Sequence, residues 1–438
     1  MYLKKERTYV KYLFICWLVI VVIKMLTDSI IAPGLIWSVV FILGVVAFPK
    51  FRLNISLPHQ FWCLFLLYML CDSCINYLLN PDFYVQPFPK LIFELVFVYL
   101  LPLCVSFTFH NCKKKEVFFK LFRNFMICCS FLGIFEYVTK NQFYTSFFKA
   151  ESILFNFERY GDISLPSYRM FLFFFHPIYY AVLQICGLVC LVYLPLKNKM
   201  LHYVACILII LNILLTQSRT GWLLIVLLFF LYFSKYAKYK ISIGISSKNL
   251  FFILFLLCLA AVAIVVFLKS EFYLKLKEMI ILRLEAIIVH AEFGARLSNI
   301  SLIRELAEEK GIKFYLFGGG FRFSISYLQS HPTTMGWVRA IDNEYLTILM
   351  DGGIFGLLFL MVFVISCIVQ YYKKRVEKSE DIPYLVCILV FIAGLFFEPI
   401  GGNIIFYFLM LIIGLMEKST LTLQKLKQLL LNYKGEKI

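Results

Sequence analysis

Runs of about twenty apolar residues, each long enough to cross a hydrocarbon core of roughly 30 Å, follow one another along most of the 438-residue chain. Only helices and closed barrels satisfy their own backbone hydrogen bonds in lipid, and runs of this length and continuity read as helices. The sequence predicts twelve spans, near 9–26, 29–48, 60–79, 91–109, 117–138, 174–194, 201–216, 220–234, 250–268, 352–372, 383–398 and 403–417. With 62% hydrophobic and 16% charged residues, the composition excludes a soluble enzyme, a disordered chain and a disulfide-stapled secreted module. The first run begins near Tyr9 without a small-residue cleavage site, so it reads as a retained helix rather than a signal peptide. The 14 Cys sit almost entirely inside apolar runs, where the side chain acts as a small hydrophobe. Cys71 and Cys74 form a CxxC, but no βαβ pattern surrounds it.

In a soluble chain a net charge of +17 would point to nucleic acid, whereas here basic residues first set membrane orientation. With the N-terminus inside, 26 of the 43 Lys and Arg fall in cytoplasmic segments and every short basic loop agrees, so both termini are expected in the cytoplasm. Membrane lipids, and no nucleic acid, are the expected surroundings. The expected organisation is five spans in 1–138, an outer loop at 139–173, four spans in 174–268, a long outer loop at 269–351, three spans in 352–417 and a basic cytoplasmic tail at 418–438. The long loop carries one amphipathic pattern at 272–291. It carries a second at 296–310, with Leu297, Ile300, Ile303, Leu306 and Ala307 on one face and Gly311 closing the helix.

Lys and Arg do not sort alike. Eight of the 12 Arg lie outside: Arg159, Arg169, Arg219, Arg283, Arg296, Arg304, Arg322 and Arg339. Arg presents a rigid fork that pairs phosphate through two hydrogen bonds and loses less on desolvation than Lys. An Arg-rich outer face therefore points to an anionic, phosphorylated ligand, against ordinary surface pairing with the Glu of the long loop. The acidic residues Asp72, Glu94, Glu136, Asp351 and Glu398 map to the outer halves of their spans or just beyond. Charge inside a membrane is costly and marks function by default. A transporter places such groups along a path through the midplane; here they gather towards one side.

The stretch TQSRTG (216–221) places Arg219 at a short outer turn, to hold an anion or to snorkel. YRMFLFFFHPIYYA (168–181) places Arg169 before a span and His176 ahead of Pro177; His176 is a candidate base or a helix cap. His331, in QSHPTT, is a further candidate base, while His59, His110 and His202 read as cytoplasmic surface residues. In GWVRAIDNEYLTILMDGGIFGLL (336–358), Arg339, Asp342, Asn343, Glu344 and Asp351 surround the start of a span. A carboxylate here can take a proton from a sugar hydroxyl; alternatively Asp342 or Asn343 caps the helix and the carboxylates favour its first turn. FGGGF (317–321) is a turn, not a nucleotide loop. No metal-ligand spacing and no Walker sequence is present, so neither a metal nor a cofactor is expected.

In order, LLTQSRTG, ARLSNI with FGGG, and DNEYLTILMDGGIFGLL resemble the O-antigen polymerase and ligase superfamily over roughly residues 165–415. That superfamily comprises Wzy-type polysaccharide polymerases and lipopolysaccharide ligases. The resemblance implies an all-α polytopic membrane protein of about twelve helices, GT-C-like, with its large outer loop between helices 9 and 10. It implies a bacterial cytoplasmic membrane and an active site facing outside. It also implies metal-independent glycosyl transfer from undecaprenyl-pyrophosphate-linked repeat units, with lipid pyrophosphate leaving. By position, Arg219 and Arg296 match the family's arginines and Arg169 comes next as a pyrophosphate contact, with Arg339, Asn343 and Glu398 around them. Ligases carry His-Asn where this chain has Asp342-Asn343, which favours a polymerase and leaves Asp342, His331 and His176 as candidate bases. An O-antigen ligase, a lipid-linked glycan flippase and a scaffold of the same machinery are the alternatives; a flippase and a chain-length regulator are the expected partners.

Overall fold

A computed structural model describes residues 2–27, 33, 35–40, 42, 56–80, 88–94, 96, 104, 115–163, 168–237, 292–332, 341, 343–373, 380–397 and 404–416. Among the described residues every regular element is helical. In chain order these are α1 (Tyr2–Leu26), α2 (Leu57–Leu79), α3 (Phe88–Glu94), α4 (Glu116–Thr139), α5 (Glu151–Asn156), α6 (Pro177–Tyr193), α7 (Lys199–Leu215) and α8 (Arg219–Ala237). They are followed by α9 (Glu292–Lys310), α10 (Ile312–Phe317), α11 (Phe323–Ser330), α12 (Glu344–Lys373), α13 (Ile382–Ala393) and α14 (Ile404–Leu415). The expected span at 250–268, the amphipathic helix at 272–291, the tail at 418–438 and most of 29–48 and 91–109 lie outside the described residues.

Among the described residues four helices are long and apolar enough to cross a membrane: Thr8–Leu26, Leu57–Leu79, Glu116–Thr139 and Glu344–Tyr372. The chain is thus an all-α membrane protein. Pro177–Tyr193, Lys199–Leu215, Ile382–Ala393 and Ile404–Leu415 are apolar but shorter. At 12 residues each, α13 and α14 cover only about 18 Å. Nearly every residue of both is buried, which explains their uniformly apolar sequence: they are wrapped by protein on all sides.

Neighbouring helices interlock through aromatic rings. Trp62 of α2 packs on Phe363 of α12 at 5.0 Å, and Phe363 on Phe391 of α13 at 5.4 Å. Trp17 of α1 packs on Phe122 of α4 at 5.6 Å, and Phe122 on Phe408 of α14 at 4.4 Å. A buried polar relay joins α4, α6 and α7: Tyr180 Oη donates to Asn212 Oδ1 at 2.8 Å, and Asn212 Nδ2 donates to the Ser130 carbonyl at 2.9 Å.

At one end of the bundle, cations close helix C-termini, where carbonyls lack intrahelical donors. Lys115 Nζ donates to the Leu415 and Met416 carbonyls at 3.0 and 3.3 Å, and Arg123 donates to the Leu194 carbonyl. His59, expected at the surface, is fully buried; its Nδ1 lies 2.5 Å from the Oγ of Ser56, the residue that caps α2. Asp72, Glu94, Glu136 and Asp351 sit at the opposite end.

The loop helix begins at Glu292, earlier than the pattern implies, and ends at Gly311. Ile303 and Leu306 are buried in a small second core with Phe314, Phe323, Leu328 and Met350, whereas Ile300, expected on that face, is exposed. This helix packs on the head of α12, so a narrow apolar stripe suffices.

Candidate functional site

Three turns lie at the acidic end. In the first, the carbonyl of Leu215 accepts from the Met170 N–H at 3.1 Å, and Gln217 Nε2 donates to the Tyr168 carbonyl at 2.8 Å. This pins 168–170 along the TQSRTG turn. Gln217 takes a left-handed backbone (φ 49°). Ser218 then caps α8, its Oγ accepting from the Gly221 N–H at 3.3 Å. Arg219 is therefore the first residue of a 19-residue helix, whose N-terminal N–H groups favour an anion. Arg169 Nε donates to the Thr216 carbonyl at 3.1 Å, which brings the Arg169 and Arg219 backbones to one turn.

Glu136, buried at the end of α4, holds this turn from below. Tyr144 and Tyr168 donate their hydroxyls to it (2.9 Å for Tyr168), and Gln142 Nε2 donates at 2.8 Å. Burial first, and then the Glu136 charge, push both phenols well above the ordinary tyrosine value, so they stay protonated and donate. Glu136 thus has a positioning role.

Beside Arg169, residues Phe157–Gly161 form a single π-type turn, a geometry common at functional sites. The Tyr160 ring lies 5.0 Å from the Arg159 guanidinium and 5.0 Å from that of Arg169. His176 meets the same ring edge-on at 5.8 Å, and Tyr179 at 5.7 Å links it to Phe397. His176 is the N-cap of α6: its Nδ1 accepts from the Ile178 N–H at 3.1 Å, so in this arrangement the ring is neutral and its proton sits on Nε2.

The third turn is FGGGF. The Gly319 and Gly320 N–H groups donate to the carbonyls of Met350 and Asp351 at 2.9 and 2.7 Å. There α12 breaks at Gly353 (φ 61°), where the sequence placed the start of the span. A Cβ on Gly318 (φ 77°) would come within 2.5 Å of the Asp351 backbone, and one on Gly353 would run into the Leu316 carbonyl. The glycines thus allow two backbones to touch. Asp351 accepts from the Arg322 and Ser324 N–H groups at 3.0 and 2.8 Å and so caps α11. Arg322 pairs with Glu94 at 2.8 Å, Asp72 accepts from Asn76 at 3.0 Å, and Ser73 Oγ accepts from the Phe321 N–H at 2.8 Å.

Asn343 caps α12, its Oδ1 accepting from the Tyr345 and Leu346 N–H groups at 3.0 and 3.2 Å. Asn299, in ARLSNI, donates to the Ile341 carbonyl at 3.2 Å. The helix that carries Arg296 is thereby tied to the chain just before Asn343. His331 is exposed, stacked on Tyr327 of its own helix at 4.3 Å, with Nδ1 2.9 Å from Ser330 Oγ. The side chain of Arg296, and Asp342, Arg339 and Glu398 altogether, lie outside the described residues. Sequence reasoning did not single out Gln217, Asn299 or the Glu94–Arg322 pair, whose roles arise from contacts distant in the chain. Among the described residues no group of three or more His, Cys, Asp or Glu is arranged to hold a metal ion.

A comparison with curated proteins gives no match. Residues 204–361 match the family described as O-antigen ligase. The matched stretch contains the Ser218-capped turn, the FGGG clasp and the Asn343-capped helix. The match supports a membrane protein of surface polysaccharide assembly, with glycosyl-transfer activity and lipid-linked glycans as substrates. The match covers about a third of the chain, and together with the motif order it makes this part of the chain similar to the O-antigen polymerase and ligase superfamily.

Proposed function

We propose that the protein polymerises undecaprenyl-pyrophosphate-linked oligosaccharide repeat units into a capsule, O-antigen or exopolysaccharide. The reaction takes place at the outer leaflet of a bacterial cytoplasmic membrane, in a GT-C-type fold of about twelve helices with both termini inside. The observation that carries this reading is Arg169 bonded to the turn from which Arg219 opens α8. An acceptor hydroxyl attacks the anomeric carbon. The bond from that carbon to phosphate breaks, its electron pair leaves with the lipid diphosphate, and the hydroxyl proton passes to a base. Charge grows on the diphosphate oxygens, so fixed guanidinium and backbone N–H donors aimed there lower the barrier. Asp342 is the proposed base by position, with His331 as the other candidate; His176, also a candidate from the sequence, has its acceptor nitrogen committed to the Ile178 N–H and serves as a helix cap. Arg296, Arg339, Asn343 and Glu398 complete the proposed substrate contacts. No metal or ATP enters this scheme. A flippase that delivers the repeat unit and a chain-length regulator are the proposed partners.

The family description favours a second reading, an O-antigen ligase. The product separates the two. In vesicles supplied with lipid-linked repeat units, polymer that remains on its lipid carrier supports the polymerase. Glycan that appears only on a lipid A core supports the ligase. Arg219→Lys tests both against transport: loss of transfer with intact translocation is the expected result, and loss of translocation itself overturns an enzymatic role.

A further inference from the structure

We propose that the short helix α10 is a foot set into the phospholipid interface at the acidic end of the bundle, and that lipid contact there holds the glycine joint at its depth. α10 reads IKFYLF and turns off α9 at Gly311 (φ 80°). Phe314 points into the second core, where its ring lies 5.3 Å from that of Phe323. The outward side is not polar: Ile312 is 69% exposed, Tyr315 43% and Phe317 45%, and Lys313 is the single charge of the helix. A loop helix in water turns its charges outward, and α9 does so, with Arg304 and Glu308 paired at 2.9 Å on its exposed face. The same loop thus has one face made for water and, directly after it, one that is not. Single apolar side chains on a surface are ordinary, but these adjoin a larger patch. The Phe317 ring lies 5.3 Å from that of Phe355, which opens the exposed stripe Phe355, Leu358 and Ile365 along α12. On a helix that crosses a membrane, that stripe meets lipid, and α10 carries it past the break at Gly353. Aromatic side chains suit the boundary between acyl chains and headgroups, and Lys313 can lay its stem on the apolar surface with its ammonium at a headgroup phosphate. The foot is tied to the joint: Tyr68 Oη donates to the Gly352 carbonyl at 2.7 Å and lies 3.3 Å from that of Phe317. Hydropathy did not mark this helix, because six residues are too few to show a period.

This inference stands on the chain's being a membrane protein and not on the transferase reading, so the two can fail separately. The test uses the full chain in nanodiscs of phosphatidylcholine and phosphatidylglycerol. The photoreactive residue p-benzoylphenylalanine is placed singly at Ile312, Tyr315, Leu358 or Arg304, and the adducts formed on illumination are read by mass spectrometry. Lipid adducts at Ile312 and Tyr315 are expected at a yield close to that of Leu358 and several-fold above that of Arg304. Yields no higher than at Arg304 would overturn the foot, as would adducts chiefly to peptide, whether from a second copy or from another part of this chain. A second measurement reads the hold on the joint. The paired change Ile312→Glu with Tyr315→Glu is expected to speed proteolytic cleavage within 311–332 several-fold in nanodiscs, because two carboxylates are costly at the lipid boundary. Ile312→Leu with Tyr315→Trp, which keeps the face apolar, is expected to be cut at the wild-type rate. Equal cleavage of the acidic and apolar pairs would overturn the anchoring role.

Discussion

Arg169 does two jobs with one guanidinium: Nε closes onto the Thr216 carbonyl, while the group as a whole faces the Tyr160 ring. Lys cannot do both, because it offers a single ammonium without the planar fork. Arg169→Lys and Arg219→Lys are each expected to lower glycan transfer by roughly a hundredfold, as loss of one preorganised donor does elsewhere. Initial rates of polymer release from purified, reconstituted protein measure it. Asn343 is a different case. Its Oδ1 serves the Tyr345 and Leu346 amides, so Asn343→Ala is expected to cost about 1 kcal/mol in stability, and Asn343→Asp or Asn343→Ser to restore it. Restored stability together with restored transfer would limit Asn343 to capping. Both residues stood out in the sequence by type and place, but which of their atoms were already committed did not.

At the scale of elements, the FGGG turn and the break in α12 are two halves of one joint. Their glycines sit about 35 residues apart and lean on each other's backbone. Gly353→Ala combines a positive φ with a Cβ that meets the Leu316 carbonyl, and a cost of about 1–3 kcal/mol is expected. Limited proteolysis should then cut sooner within 311–332 than in the wild type; an unchanged cleavage rate would count against the joint. The glycines were visible as a turn signal, but the partner of that turn was not. A glycine triplet reports only local freedom, and the backbone it accommodates came from another helix. The helix at Glu292–Lys310 shows the same limit. Its period was legible, yet Ile300 is exposed, because the width of the buried stripe depends on what packs against it.

Across the whole molecule, the two ends of the bundle differ in chemistry. Far from the arginine turn, Lys235 of α8 and Asp381, just before α13, form a fully buried pair 2.5 Å apart, with Lys235 Nζ 4.3 Å from the centre of the Tyr371 ring. Removing one partner leaves a buried charge behind. Lys235→Met is therefore expected to cost about 3–5 kcal/mol, and Lys235→Met with Asp381→Leu to recover most of it. Thermal unfolding in detergent reads both variants, and additive losses would sink the idea. Orientation is a separate prediction. Reporter fusions after Lys197 should report the cytoplasm and fusions after Lys140 the outside. The sequence alone determined that this chain is a membrane helix bundle, and which short motifs carry its arginines, since hydropathy and residue type are local and survive any packing. It could not determine that α13 and α14 are enclosed by protein on all sides. Nor could it determine that Arg169 closes on a carbonyl 47 positions away, or that Glu94 meets Arg322 across more than half the chain. Those meetings depend on which helix faces which, and that is settled by the summed packing of aromatic side chains distant in sequence.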